Sequence, residues 1–129
     1  MKIKNEPKII KKPWGKEIWL ELNDRYCYKR IYINAGTRTS FQYHQKKKET
    51  NYIISGEAEV WLENDKGFIE KFKCSEGDFF NVIPPKKHRV IAVTDIILQE
   101  VSTPEVDDVI RIEDDFKRSD GKIEKEHKK

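Results

Sequence analysis

The sequence is short of most features that stabilise or localise a chain by special means. Its two cysteines, Cys27 and Cys74, stand far apart and form no CxxC pair. A disulfide framework is not expected, and both residues read as buried thiols of a reducing compartment. No stretch approaches the roughly 18 apolar residues of a membrane span. The N-terminal MKIKNEPKIIKKPWG lacks the apolar core of a signal peptide. A soluble, cytoplasmic protein with no membrane partner is the expectation. Repeats are absent, helical periodicity is nearly so, and low complexity is confined to the Lys-rich end. A strong charge imbalance is also missing. Lys and Arg number 26 against 23 Asp and Glu, and the net +3 resides in residues 117–129, where six basic side chains meet three acidic ones. That pattern predicts a charged, disordered tail on a neutral body and no nucleic-acid partner.

What is present is β structure. A chain of 129 residues is one ordinary domain, long enough to bury a core without staples. β-branched and aromatic residues concentrate in runs at 17–22, 26–33, 37–44, 51–54, 58–63, 68–72, 79–83, 89–93 and 96–101. Turn residues separate them: Asn23-Asp24, Ala35-Gly36, Asn64-Asp65-Lys66-Gly67, Glu76-Gly77-Asp78 and the strand-stopping Pro84-Pro85. Many short strands predict an all-β sandwich or barrel. The layout is an N-terminal arm at 1–16, a barrel with a C-terminal extension at 17–116, and the tail. Residues 104–116 predict a turn or short helix followed by a short strand near 109–112.

One run carries chemistry. If 37–44 is a strand, side chains alternate, and Arg38, Ser40, Gln42 and His44 share one face. Arg, Gln and His together suit the wall of a polar cavity better than a packed core. Glu49 opens the next strand, and His88 opens another after the proline turn. Gln42, His44, Glu49 and His88 offer four N and O donors suited to a divalent ion such as Mn, Fe, Co, Ni or Zn. Two carboxylates, Glu59 and Glu100, sit in strands whose faces could reach such a cavity. Glu100 lies among apolar neighbours, which favours an inward orientation and a raised pKa. Lys46, Lys47 and Lys48, with Lys86, Lys87 and Arg89, read either as a rim that attracts phosphate or as solvated loops. Trp14, Trp19 and Trp61 suit core or dimer packing better than sugar platforms.

From Gly36 through Glu49 to Gly56 the run resembles the first cupin motif, G-x5-H-x-H-x4-E-x6-G, with Gln42 in place of the first His. Gly77-Asp78, Pro84-Pro85 and His88 match the second motif loosely. Gly36, Arg38, Ser40, Phe41, Gln42, His44 and Glu49 resemble the pattern of the cupin domain of type II mannose-6-phosphate isomerases. That domain also occurs fused to mannose-1-phosphate guanylyltransferases. Lys12-Pro13-Trp14-Gly15 is similar to that family's R-P-W-G opening, and Asp107-Asp108 through Arg111 to Asp114 to its D-D-I-V-R-x-x-D ending. The resemblance implies a cupin jelly roll, or double-stranded β-helix barrel. It implies Gln42, His44, Glu49 and His88 as metal ligands, Arg111 as catalytic, and Arg38 as a substrate-binding position. Lys87 is a further substrate-binding candidate beside His88, and Glu100 the candidate acid/base. The implied activity is metal-dependent aldose–ketose isomerisation of a sugar phosphate. Alternatives are another cupin enzyme on a sugar or nucleotide sugar, such as an epimerase, and a non-catalytic sugar-binding cupin. The partner is a small sugar or sugar phosphate, and a homodimer is expected. The guanylyltransferase half of the fused enzymes is not implied.

Overall fold

Alternation decides the architecture. In the computed structural model, which describes residues 6–118, eleven strands form and no helix occurs among the described residues. They are β1 (Lys8–Lys12), β2 (Gly15–Leu22), β3 (Cys27–Ile33), β4 (Phe41–Tyr43), β5 (Glu49–Ser55), β6 (Ala58–Glu63), β7 (Ile69–Cys74), β8 (Phe79–Val82), β9 (His88–Ala92), β10 (Ile96–Ser102) and β11 (Ile110–Glu113). β3 shows why they are strands: Cys27, Lys29, Ile31 and Ile33 are buried while Tyr28, Arg30 and Tyr32 between them are not. A period of two of this kind buries one face only.

The strands form two antiparallel sheets, in the orders β1-β2-β3-β10-β5-β8 and β11-β4-β9-β6-β7. Their inner faces meet over a core that includes Trp14, Ile31, Ile33, Ile53, Val60, Val90, Ile96 and Leu98. Such two-sheet packing interleaves alternate residues from both sheets. Glycine is required where backbones approach. A Cβ on Gly56, whose φ is +96°, would lie 2.1 Å from the Asp95 carbonyl oxygen, and one on Gly15 would lie 1.9 Å from that of Tyr32.

Several expectations change. The expected arm is not separate, because residues 8–12 pair with β2 as an edge strand. Run 37–44 is a strand only at Phe41–Tyr43, with a lone bridge from Arg38 to Ile91. The 104–116 segment has no helix; it turns and then pairs as β11 with β4. Both cysteines are free, but Cys74 is only half-buried. The expected tail lies outside the described residues from position 119 onward.

The register stacks polar residues inside the barrel. Direct cross-strand partners share a face, so Trp19, Lys29, Glu100 and Asn51 form one buried row across β2, β3, β10 and β5. Beside it, Lys29 Nζ lies 3.1 Å from Glu17 Oε1, and Trp19 Nε1 donates to the same oxygen at 2.8 Å. Burial works against the Glu17 charge, but Lys29, Lys12 and the Trp19 bond outweigh it and hold the carboxyl well below the usual range. Glu17→Gln removes the charge and weakens the bond to Lys29, an expected loss of about 2 kcal/mol at neutral pH. A carboxyl held low when folded adds stability above its unfolded pKa of 4.5. It loses that contribution as pH falls through the folded value. The gap between wild type and E17Q in urea unfolding is therefore full at neutral pH and narrows in acid. A gap that persisted unchanged into strong acid would refute the pairing.

Candidate metal centre

Three strands on the two sheets, β4, β9 and β5, bring the donors together. Across β11, β4 and β9, Arg111 pairs with Gln42 and Gln42 with His88, so the three share a face that lines the cavity. Facing them, Glu49 opens β5, and His44 stands just past the end of β4. His44 Nε2 lies 3.1 Å from Glu49 Oε1, and His88 Nε2 lies 3.2 Å from the same oxygen. All three residues are buried. Their ligand atoms lie within 4.8 Å of one another, and the two imidazole centroids are 4.9 Å apart.

The tautomers follow from the partners. His44 Nδ1 is 2.6 Å from the Asp108 carbonyl oxygen, and His88 Nδ1 is 3.0 Å from that of Lys86. A carbonyl only accepts, so each Nδ1 carries the hydrogen, and in the neutral ring that leaves Nε2 with a lone pair. Burial, the largest influence, pulls the His44 pKa down despite the Glu49 hydrogen bond, which favours the neutral ring. Two nitrogen lone pairs then converge on a carboxylate oxygen. Acceptors that face one another repel unless a proton or cation lies between them. A divalent cation satisfies all three at once, and His with an orienting carbonyl behind it is the usual arrangement around such an ion. Gln42 flanks the group, its amide oxygen accepting from the Ser40 hydroxyl. The donor set fits a divalent ion.

A buried ion pair adjoins this group. Lys47 Nζ lies 3.0 Å from Glu100 Oε2 and 3.7 Å from Glu49 Oε2, with all three side chains buried. Burial opposes the lysine charge, yet Glu100 and Glu49 hold the ammonium well above the ordinary lysine range. Burial also opposes the Glu49 charge, but the Lys47 ammonium outweighs it and keeps that carboxyl low. Glu100 goes the other way: burial and the charge of Glu49 push it up to about 7 against the pull of Lys47.

Other candidates lie elsewhere. Arg38, expected in the cavity wall, makes a two-bond ion pair with Asp115 at 2.8 Å for each bond, and Thr39 lines the cavity instead. The reason is that regular alternation begins only at Phe41. Lys87 is not among the cavity-lining residues; its amide donates to Glu63 near the 64–67 hairpin. Glu59 accepts from Trp61 on the face opposite Ala58 and Val60. Arg89 is no rim residue, being buried between Phe41 and Trp61. Lys47 and Lys29 are interior charges that the sequence pattern does not announce as such. Lys29 is visible in principle, since it shares a strand face with Cys27, Ile31 and Ile33.

The chain is similar to several known proteins. Residues 2–114 match the family described as mannose-6-phosphate isomerase C-terminal. A mannose-1-phosphate guanylyltransferase of Escherichia coli (strain K12) is 30% identical over 112 residues, which cover 84% of this chain and 23% of that protein. The chain thus spans less than a quarter of that relative's length. An RmlC-like cupin from Shewanella frigidimarina superposes with a TM-score of 0.64 at 23% identity, over 77% of this chain and 85% of that one. The capsular polysaccharide assembling protein CapF of Staphylococcus aureus gives 0.72 at 14% identity, over 86% of this chain and 33% of its own. With the match spanning all eleven strands, the chain belongs to the mannose-6-phosphate isomerase C-terminal family and folds as a cupin jelly roll.

Proposed function

We propose that the protein is a metal-dependent aldose–ketose isomerase acting on a sugar phosphate, mannose 6-phosphate or a relative. The observation that carries the reading is the position of Glu100, joined through Lys47 to the ligand Glu49, with Arg111 lining the same cavity. A divalent ion held by His44, Glu49 and His88, with Gln42 alongside, would supply Lewis-acid stabilisation of charge on the substrate oxygens. Glu100 takes the proton from one carbon of the open-chain sugar and returns it to its neighbour. Lys47 holds that carboxyl in place while remaining charged itself. The Arg111 guanidinium meets negative charge on the phosphate or on the enediolate.

Arg111 also favours an enzyme over a non-catalytic sugar-binding cupin. It lines the cavity on the same face as Gln42 and His88. The reading is tested by a coupled assay of mannose 6-phosphate conversion to fructose 6-phosphate. Turnover is expected, EDTA should abolish it, and one of Mn, Fe, Co, Ni or Zn should restore it. Metal-loaded protein that converts neither this nor any other hexose phosphate would defeat the proposal.

A further inference from the structure

Residues 45–48 connect two members of the donor group, His44 and Glu49, and form no strand. A solvated loop of three lysines would leave the separation of those two side chains free. Here the loop is fixed from outside: Lys48 exchanges hydrogen bonds with Thr103, at 3.0 and 2.9 Å, and one residue holds the three positions before it. The carboxylate of Asp108 accepts from the amides of Gln45 at 3.1 Å, Lys46 at 2.7 Å and Lys47 at 3.1 Å. Successive amides converging on an anion form a nest, and hydrogen bonds to an ionised acceptor are about twice as strong as neutral ones. The carbonyl of the same residue receives the His44 Nδ1–H at 2.6 Å. Three residues later, Arg111 enters β11 opposite Gln42.

We propose that Asp108 is the positioning residue of the metal centre, its side chain setting the His44–Glu49 separation and its carbonyl fixing the His44 ring. This rests on the reading of His44, Glu49 and His88 as metal ligands. The C-terminal segment then acts twice, because the turn that delivers Arg111 to the cavity also locks the ligand loop. An asparagine at 108 presents one amide oxygen and an NH2 group to three N–H donors, so the nest loses acceptors and charge together. Asp108 is a positioning residue because it acts through His44 and the loop, not on the substrate.

The test is titration of the 129-residue chain with Co(II), followed by its visible absorption bands, for wild type, Asp108→Asn and the control Asp24→Asn in the exposed 23–24 turn. Orienting groups behind a ligand typically account for about 10- to 100-fold in metal affinity. D108N is expected to lose affinity in that range and to change band intensity, which reports coordination geometry, while D24N matches wild type. Folded D108N with wild-type affinity and spectrum overturns the assignment. If D108N does not fold, amide hydrogen exchange on wild type decides. Zn(II) should slow exchange at Gln45, Lys46 and Lys47 more than in the 64–67 hairpin, and equal effects overturn the proposal. Co(II) binding that depends on Asp108 without any isomerisation would defeat the enzymatic reading alone.

Discussion

Glu100→Gln is expected to lower kcat for sugar-phosphate isomerisation by about 100- to 10,000-fold, the usual contribution of a positioned acid or base. Glutamine keeps the volume of the side chain and its place in the row with Lys29 and Asn51, but it cannot accept and return a proton. KM should stay within a few-fold, because the proton carrier acts in the transition state rather than in ground-state binding. Bound metal should be unchanged, since Glu49 and both histidines remain. Steady-state kinetics on metal-loaded protein read all of this. A kcat within a factor of about three of wild type would remove Glu100 from the chemistry. Glu59, hydrogen-bonded to Trp61 on the outer face, serves as the control whose substitution should leave kcat alone.

The second large effect is on stability. Lys47→Met removes the one ammonium shared by Glu49 and Glu100 and leaves two carboxylates in a buried site. Breaking a buried ion pair from one side typically costs about 3–5 kcal/mol, because the abandoned charge keeps its desolvation penalty. Against a total stability of about 5–15 kcal/mol for a domain of this kind, the variant should unfold at much lower urea. The measurement belongs on chelator-treated protein, so that altered metal binding does not enter. A Lys47→Met protein as stable as wild type would mean that the lysine neither neutralises nor orders the carboxylates. The double variant Lys47→Met, Glu100→Gln should recover part of the loss, because the ionisable group facing Glu49 is replaced by a neutral amide.

The donor residues are legible in the sequence because their spacing is rigid. Four residues separate His44 from Glu49, and the proline turn places His88 at the start of a strand, so a motif can be read without the fold. The strand runs are legible for a similar reason: β3 and β10 alternate cleanly, β6 does so over Ala58–Trp61, and their ends fall within a residue or so of the runs read from sequence. The rest depends on geometry that periodicity does not carry. Arg38 reads as a cavity residue only when alternation is carried through residues that lie outside a continuous strand. β1 escapes a periodicity reading because Lys8-Ile9-Ile10-Lys11-Lys12 has no period of two; only Ile10 of the five is buried. Lys47 sits in a run of three lysines that reads as a solvated loop. It is inside because the Asp108 nest folds the loop inward and because two carboxylates offset its desolvation. One signal is present, since Lys47 shares parity with Glu49, Asn51 and Ile53, the buried positions of β5.

The position of Arg111 illustrates how the strands cooperate. Its own strand is short and polar, with Glu113 exposed, and taken alone it predicts little. Pairing with β4 sets it beside Gln42, and through Gln42 beside His88. Cross-strand register, rather than nearness in sequence, therefore assembles the polar wall opposite Glu49 and Glu100.

The proposed reaction moves a proton between neighbouring carbons of a sugar phosphate. Proton NMR of mannose, fructose and glucose 6-phosphates in D2O with metal-loaded protein tests it most directly, with His44→Ala as control. The predicted result is deuterium at carbon 1 or carbon 2 of one of these sugars, and none with His44→Ala. Metal-loaded wild-type protein that leaves all three sugar phosphates without deuterium would contradict it.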